Sequence, residues 1–249
     1  MRVCAVMIAM LIGGLFTANR GQQDARAAIP ANAALAIPAN DVGVIEGAVT
    51  LDVAAEGAPP MLSPYARRRY RSPTNPGQTA SPIGDVVVYI VLDPPAASAA
   101  AASAAAAERP AAIIAQRDRT MMPRVTAITA GSRVEFPNQD EVFHNIFSLS
   151  EARPFNLGRF APGSSRSQSF PDPGVVRMFC DIHSDMAAVI LVLDNPYHAR
   201  PDADGRFRIA GVPEGRHRLV AWHETAGADT TVIAVTAAAV ARADFRLPR

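Results

Sequence analysis

Lysine is absent from this 249-residue chain: all 24 basic side chains are arginine, set against 23 acidic ones. A net charge of +1 gives a nucleic-acid partner nothing to recognise. In a chain so rich in alanine, the missing lysine reads as genomic base composition. Beyond the N-terminus no apolar run approaches the roughly 20 residues that a transmembrane helix needs. No stretch has the periodicity of an amphipathic helix of ordinary length, which sets aside the helical classes and predicts an all-β fold. There is also no glycine-rich phosphate loop, no Ser/His/Asp set and no second histidine group suited to a hydrolytic centre, so no enzyme class is indicated.

Cysteine is scarce too. The two are Cys4 and Cys180, and Cys4 lies in the apolar run Val3 to Phe16 that follows Met1-Arg2. That arrangement is a secretory signal peptide, with cleavage open between Ala18 and Ala27 and the segment taken as 1–27. The mature chain is expected in the periplasm or outside the cell, with no membrane span left after cleavage. Cys180 then has no intramolecular partner in a compartment where cysteines usually pair, which leaves a reactive thiol, an intermolecular bridge or a metal ligand.

Strand patterns fill the orderly parts. "VIEGAVTLDV" alternates Ile45, Val49, Leu51 and Val53, and "DVVVYIVLD" from Asp85 is a short β-branched strand. They make an N-terminal β segment, 41–95, whose partner sheet the sequence leaves open. Between them "YARRRYR", Tyr65 to Arg71, sits among Pro, Ser, Asn and Gly and reads as a solvated loop tip. Residues 96–112 form an insertion of mostly Ala and Ser with no apolar face. "RVTAITAGSRVEF" predicts two strands split at Ala130-Gly131-Ser132; "VVRMFC" and "AAVILVLD" predict two more flanking a loop, completing a domain over 113–194. Turns at Gly205, Gly211, Pro213 and Gly215 divide 195–249 into a small β-sandwich module.

The loop carries the chemistry. "FCDIHSDM" spaces Cys180, His183 and Met186 at three-residue steps. A thiolate, two imidazoles and a weak thioether form a donor set that selects copper over zinc. The missing imidazole is assigned to His144, after a strand and a Pro-Asn turn in "VEFPNQDEVFHN"; His198, His217 and His223 all follow the loop. Met178 is a rival axial donor, but it stands on the strand before Cys180, so Met186 is preferred. Phe143, Phe179 and Ile182 are candidates to keep water away. Met121 and Met122 read as strand-edge residues.

The order His144, then Cys180-x-x-His183-x-x-Met186, preceded by "GSRVEFPNQD" and "SFPDPGVVRMFC", resembles the cupredoxins of the amicyanin, plastocyanin and pseudoazurin branch. The two-residue gap between His183 and Met186 is most like that of amicyanins. The resemblance implies a Greek-key β-sandwich, one type 1 copper ion, Asn145 tying the ligand segments together, and a His183 ring edge that passes electrons at the surface. The implied function is single-electron transfer with an exported redox protein, whether a cytochrome c, a dehydrogenase or an oxidase. More loosely, the whole chain resembles exported plastocyanin-like proteins of the methylamine-utilisation type, whose tails are similar to carboxypeptidase regulatory-like modules. A copper-delivery protein without redox turnover and a metal-free structural envelope protein are the alternatives. In the tail, "DADG" from Asp202 is read as a tight turn rather than a calcium loop, and Trp222, His223 and Glu224 as a surface strand end with a core Trp.

Overall fold

Short β-branched runs cut by Gly, Pro and Asp turns produce eighteen strands and no α-helix among the described residues, in accord with the all-β expectation. The computed structural model describes residues 42–52, 82–92 and 110–248. The signal segment 1–27, the arginine-rich 65–71, Val53 and most of the Ala-rich insertion lie outside them. Among the described residues no helix is long and apolar enough to cross a membrane.

The chain runs through β1 (Val42–Leu51) and β2 (Val87–Val91), then β3 (Ala112–Ile113), β4 (Ala115–Arg117), β5 (Thr120–Met122), β6 (Val125–Thr129) and β7 (Ser132–Pro137). Next come β8 (Ile146–Ser148), β9 (Phe155–Asn156), β10 (Ser165–Phe170), β11 (Gly174–Cys180) and β12 (Ala187–Leu193). The last six are β13 (His198–Ala199), β14 (Arg206–Pro213), β15 (Gly215–His223), β16 (Gly227–Val235), β17 (Val240–Arg242) and β18 (Phe245–Leu247).

Strands β3 to β12 build one sandwich. A five-stranded sheet ordered β6-β12-β11-β8-β9 faces a three-stranded sheet ordered β10-β7-β3, and the chain crosses between the two as it goes from β6 to β7, β8, β10 and β11. Alternation along each strand sends one set of side chains inward. Val134, Phe136 and Phe170 meet Val176, Met178, Ala188, Ile190 and Val192 in a single buried cluster that also holds Cys180 and Met186.

The second sandwich answers where the N-terminal segment belongs. β1 pairs with β14, β17 and β18, and β2 lies between β13 and β15, so both N-terminal strands complete sheets of the C-terminal module. Between those sheets lie Ile45, Val49, Val88, Ile90, Phe207, Ile209, Leu219, Ile233 and Leu247. Backbone approaches closely here: a Cβ on Gly47 would overlap the Ala243 carbonyl, which fixes glycine in the middle of β1.

One strand belongs to two cores. All seven residues of β12 are buried. Ala188, Ile190 and Val192 face the first sandwich, while Val189, Leu191 and Leu193, with Val125 of the neighbouring β6, pack against Val87, Tyr89 and Trp222 from the second. "AAVILVL" is therefore continuous rather than alternating because neither face meets water. At about 1.5–3 kcal/mol for each large aliphatic side chain removed from water, this strand anchors both halves.

An ion cluster seals the same junction. Arg124 donates through Nε to Asp85 at 2.6 Å and through Nη1 to Glu224 at 3.0 Å, while Arg177 Nε donates to the other Glu224 oxygen at 3.0 Å. Glu224, expected at a surface strand end, has a side chain only 5% exposed. His223 is buried as well, and its Nδ1 accepts from the Ala226 N–H at 3.1 Å. The strand end is covered because Arg124, just before β6, and Arg177 of β11 fold over it, a tertiary contact that local sequence does not announce. Trp222 is half-buried in the junction.

Glu224→Ala leaves two guanidinium groups short of a carboxylate and is expected to destabilise the protein by about 3 kcal/mol, read by urea denaturation. Burial, aided by the nearby Arg124 cation, holds the His223 imidazole below its usual range, against the smaller opposing pull of Asp85 and Glu224. The folded protein therefore binds fewer protons at this site than the unfolded chain. The stability that neutral His223 contributes is whole above about pH 6.5 and is lost as pH falls below it toward the depressed folded value. Urea midpoints measured at pH 7.5 and 5.5 should fall less in His223→Gln than in the unaltered protein.

Candidate metal centre

Three chain segments deliver three donors. β11 ends on Cys180, which pairs with Ile146 of β8 and whose N–H donates to the Met186 carbonyl at 3.2 Å. Because Phe179 pairs with Ala187 across the β11–β12 ladder, the residues between must close a tight loop, and the Met186 N–H returns to the His183 carbonyl at 3.1 Å. His144 arrives from the other side of the sequence. It forms an isolated antiparallel bridge with Phe160, with N–H···O distances of 3.2 and 2.9 Å. The turn before it is built by buried Asn138, whose Oδ1 accepts from the Asp140 N–H at 3.0 Å and whose Nδ2 donates to the Val142 carbonyl at 2.8 Å.

These segments bring His144, Cys180 and His183 together. The two Nδ1 atoms lie 3.2 Å apart, and each is 3.8 Å from Cys180 Sγ. A point equidistant from the three atoms is about 2.1 Å from each, the length of a metal bond to imidazole nitrogen and close to that of a metal–thiolate bond. His144 is 0% and Cys180 1% exposed, whereas His183 is half-buried on its loop. Met186 is fully buried in the cluster that contains Cys180, as is the rival Met178.

Hydrogen bonding fixes which nitrogen of His144 is free. Its Nε2 lies 2.8 Å from Asp140 Oδ2. An ionised carboxylate only accepts, so Nε2 carries the proton and Nδ1 presents a lone pair to Cys180 and His183. Burial pushes the Asp140 carboxyl upward, but the Arg119 N–H, the His144 side chain and the Asp118 N–H outweigh it and hold the group below the usual carboxylate range. Burial, with His144 and Arg119 close by, likewise holds the His183 imidazole below its ordinary value and favours the neutral ring that metal binding requires. Three lone-pair donors converging in this way are stable around a proton or a cation and repel one another otherwise, so the residues present fit a thiophilic metal ion.

Asn145 links the two ligand segments by side chain and by backbone. Its Nδ2 donates to the Asp181 carboxylate at 3.0 Å, and its carbonyl accepts the Asp181 N–H at 3.3 Å. Two of the three residues expected to exclude water do not do so: Phe143 is 53% and Ile182 38% exposed. Each immediately precedes a histidine, and the backbone that turns the imidazole inward turns its neighbour outward. The cluster around Cys180 is closed instead by Ile146, Phe160 and Met178, while Phe179 packs against Phe147 and Ala187 on the other face of β11. Met121 is a core residue and only Met122 lies at an exposed edge. The "DADG" turn closes on itself, Asp202 Oδ1 accepting from the Asp204 and Arg206 N–H groups. Sequence reasoning missed Asn138 and Asp140; the Asn-x-Asp turn signature inside "PNQDEVFH" was the available signal.

No protein-family model and no curated protein matches this chain. Among solved structures, 34% of the chain is similar to a copper-containing nitrite reductase from Thermus scotoductus SA-01, at 24% identity and a TM-score of 0.33, and spans only 23% of that enzyme. A purple cupredoxin from Nitrosopumilus maritimus is 24% identical over 32% of this chain and 98% of its own, with a TM-score of 0.30. An amicyanin mutant in its Cu(I) form is 16% identical over 35% of this chain and 88% of its own, with a TM-score of 0.32. These likenesses describe about a third of the chain, and the chemistry assigned to it rests on the three converging donors.

Proposed function

We propose that His144, Cys180 and His183 would hold one copper ion in a type 1 centre, with Met186 as a weak thioether donor, and that the protein carries single electrons between exported redox partners. The observation that carries this reading is the convergence of one thiol sulfur and two Nδ1 atoms at 3.2 to 3.8 Å in a buried pocket. A closed zinc site would recruit a fourth Cys, His or carboxylate, and no such residue joins the trio among the described residues. A buried thioether on the same loop suits copper. The cupredoxin-like motif order and the two-sheet sandwich support the same assignment, as does the apolar N-terminal run for export.

Bound copper would supply a one-electron couple. The chain's part is to keep the ligand geometry constant: β8 and β11 fix Cys180, the Phe160 bridge fixes His144, and Asn145 couples both to the loop. Ile146, Phe160 and Met178 hold water off the sulfur side. His183, half-buried on an otherwise exposed loop, offers the shortest path from the donor cluster to a partner such as a cytochrome c, a dehydrogenase or an oxidase. This role needs no substrate site and no catalytic residue. In this reading the two-sheet C-terminal module is an accessory to that domain, as the loose resemblance to methylamine-utilisation-type proteins implies.

Loading the mature protein with one equivalent of Cu(II) should give an intense thiolate-to-copper visible band and a narrow copper hyperfine splitting, both lost in Cys180→Ser. Copper should stay bound through repeated reduction and oxidation. A pale spectrum indifferent to Cys180→Ser would overturn the assignment, and release of copper on reduction would turn it toward delivery.

A further inference from the structure

We infer that the turn of the β4–β5 hairpin, Asp118-Arg119, is a positioning element for the metal centre: through Asp140 it fixes the tautomer of His144. The inference rests on the reading of His144 as a metal ligand, but its geometry stands independently.

The two turn residues are neither glycine nor asparagine, yet both have positive φ, 52° and 55°. They are the central pair of a two-residue hairpin, since Arg117 pairs with Thr120 on either side of them. That is the type I′ arrangement, for which Asn-Gly is the low-energy sequence and Arg at the second position is disfavoured. Strain of this kind persists where surrounding structure over-determines it. Here the reason is visible. The left-handed pair aims two successive N–H groups at one carboxylate: Asp118 N–H reaches Asp140 Oδ1 at 2.6 Å, and Arg119 N–H reaches Oδ2 at 3.0 Å.

Oδ2 of that same carboxylate accepts the His144 Nε2 proton, so Asp140 spends both oxygens on three donors. The hairpin is itself fastened to the ligand turn. Gln116 bridges to Asn138, and the Gln139 N–H donates to the Gln116 carbonyl at 2.9 Å. Thr120, buried at the base, donates its hydroxyl to the Arg117 carbonyl at 2.6 Å. A continuous line of hydrogen bonds thus runs from the hairpin backbone to the imidazole. Its effect is to pin the ring with the proton on Nε2 and the lone pair of Nδ1 facing Cys180, before any metal arrives.

Three variants test this. Arg119→Gly keeps the N–H and suits the positive φ, whereas Arg119→Pro removes the N–H and excludes that φ; both lose the guanidinium, so their difference reports the backbone alone. Asp140→Asn keeps the shape but has one acceptor oxygen, so its amide NH2 must face at least one of the three donors. The readouts are the ring 15N shifts of His144 in the metal-free protein and the Cu(I) affinity by competition with a chelator.

Arg119→Gly should retain the Nε2–H tautomer. Arg119→Pro and Asp140→Asn should shift it toward Nδ1–H and lose about 10–100-fold in affinity, the range seen when partners of metal-bound histidines are removed. An unchanged tautomer in folded Asp140→Asn would overturn the inference, as would a shift in Arg119→Gly as large as in Arg119→Pro. Should the unaltered protein fail to bind copper while its tautomer responds as described, the copper reading falls and the positioning role holds.

Discussion

Everything in this structure hangs on the two-sided burial of β12. A strand with water on neither face must be covered twice, and the chain supplies both covers: β7 and β10 on one side, β2 and β15 on the other. The second cover would be an incomplete sheet without β2, a strand that precedes the whole first sandwich in sequence yet lies between β13 and β15. Burying Val189, Leu191 and Leu193 beneath that sheet makes β12 rigid. Its first residue, Ala187, in turn sets where the Cys180-to-Met186 loop must end. Hydrophobic packing at the junction thereby fixes a loop on the opposite core.

The donor cluster takes advantage of that rigidity. Cys180 is anchored by the sheet, His144 by a backbone bridge, and His183 by a loop closed at both ends by backbone hydrogen bonds. Their donor atoms stand at metal-binding separations within the protein's own packing. A donor set assembled by the fold in this way resists rearrangement when the charge at its centre changes, a property the proposed electron-transfer role would use. The buried histidine and the half-buried one differ in setting: the first is held by a carboxylate, the second stands among exposed loop residues.

Much of the site was legible because spacing alone conveys it. Cys180, His183 and Met186 at regular steps between two apolar runs could only be a loop between strands, and His144 was the one histidine on the N-terminal side of it. The breaks at Ala130-Gly131-Ser132 and after Leu193 were equally plain from turn chemistry. What escaped the sequence depends on backbone groups and distant pairings. Asp140 matters through three hydrogen bonds, two of them from the peptide N–H groups of a hairpin with no glycine to mark its positive φ. Glu224 looked like a surface residue until Arg124 and Arg177 were seen to cover it. Phe143 and Ile182 looked like shielding because apolar side chains beside ligands usually are, but alternation about an inward-facing histidine turns them out. The pairing of β1 with β17 and β18 joins the first and last strands of the described residues, and no periodicity encodes it.

The most direct test of the central claim, that these three donors form one copper centre preset by the fold, is copper-edge X-ray absorption of the singly loaded protein in both oxidation states. The expected result is a first shell of one sulfur and two imidazole nitrogens that changes little on reduction. A shell of nitrogen and oxygen alone, or loss of the sulfur when the copper is reduced, would contradict it.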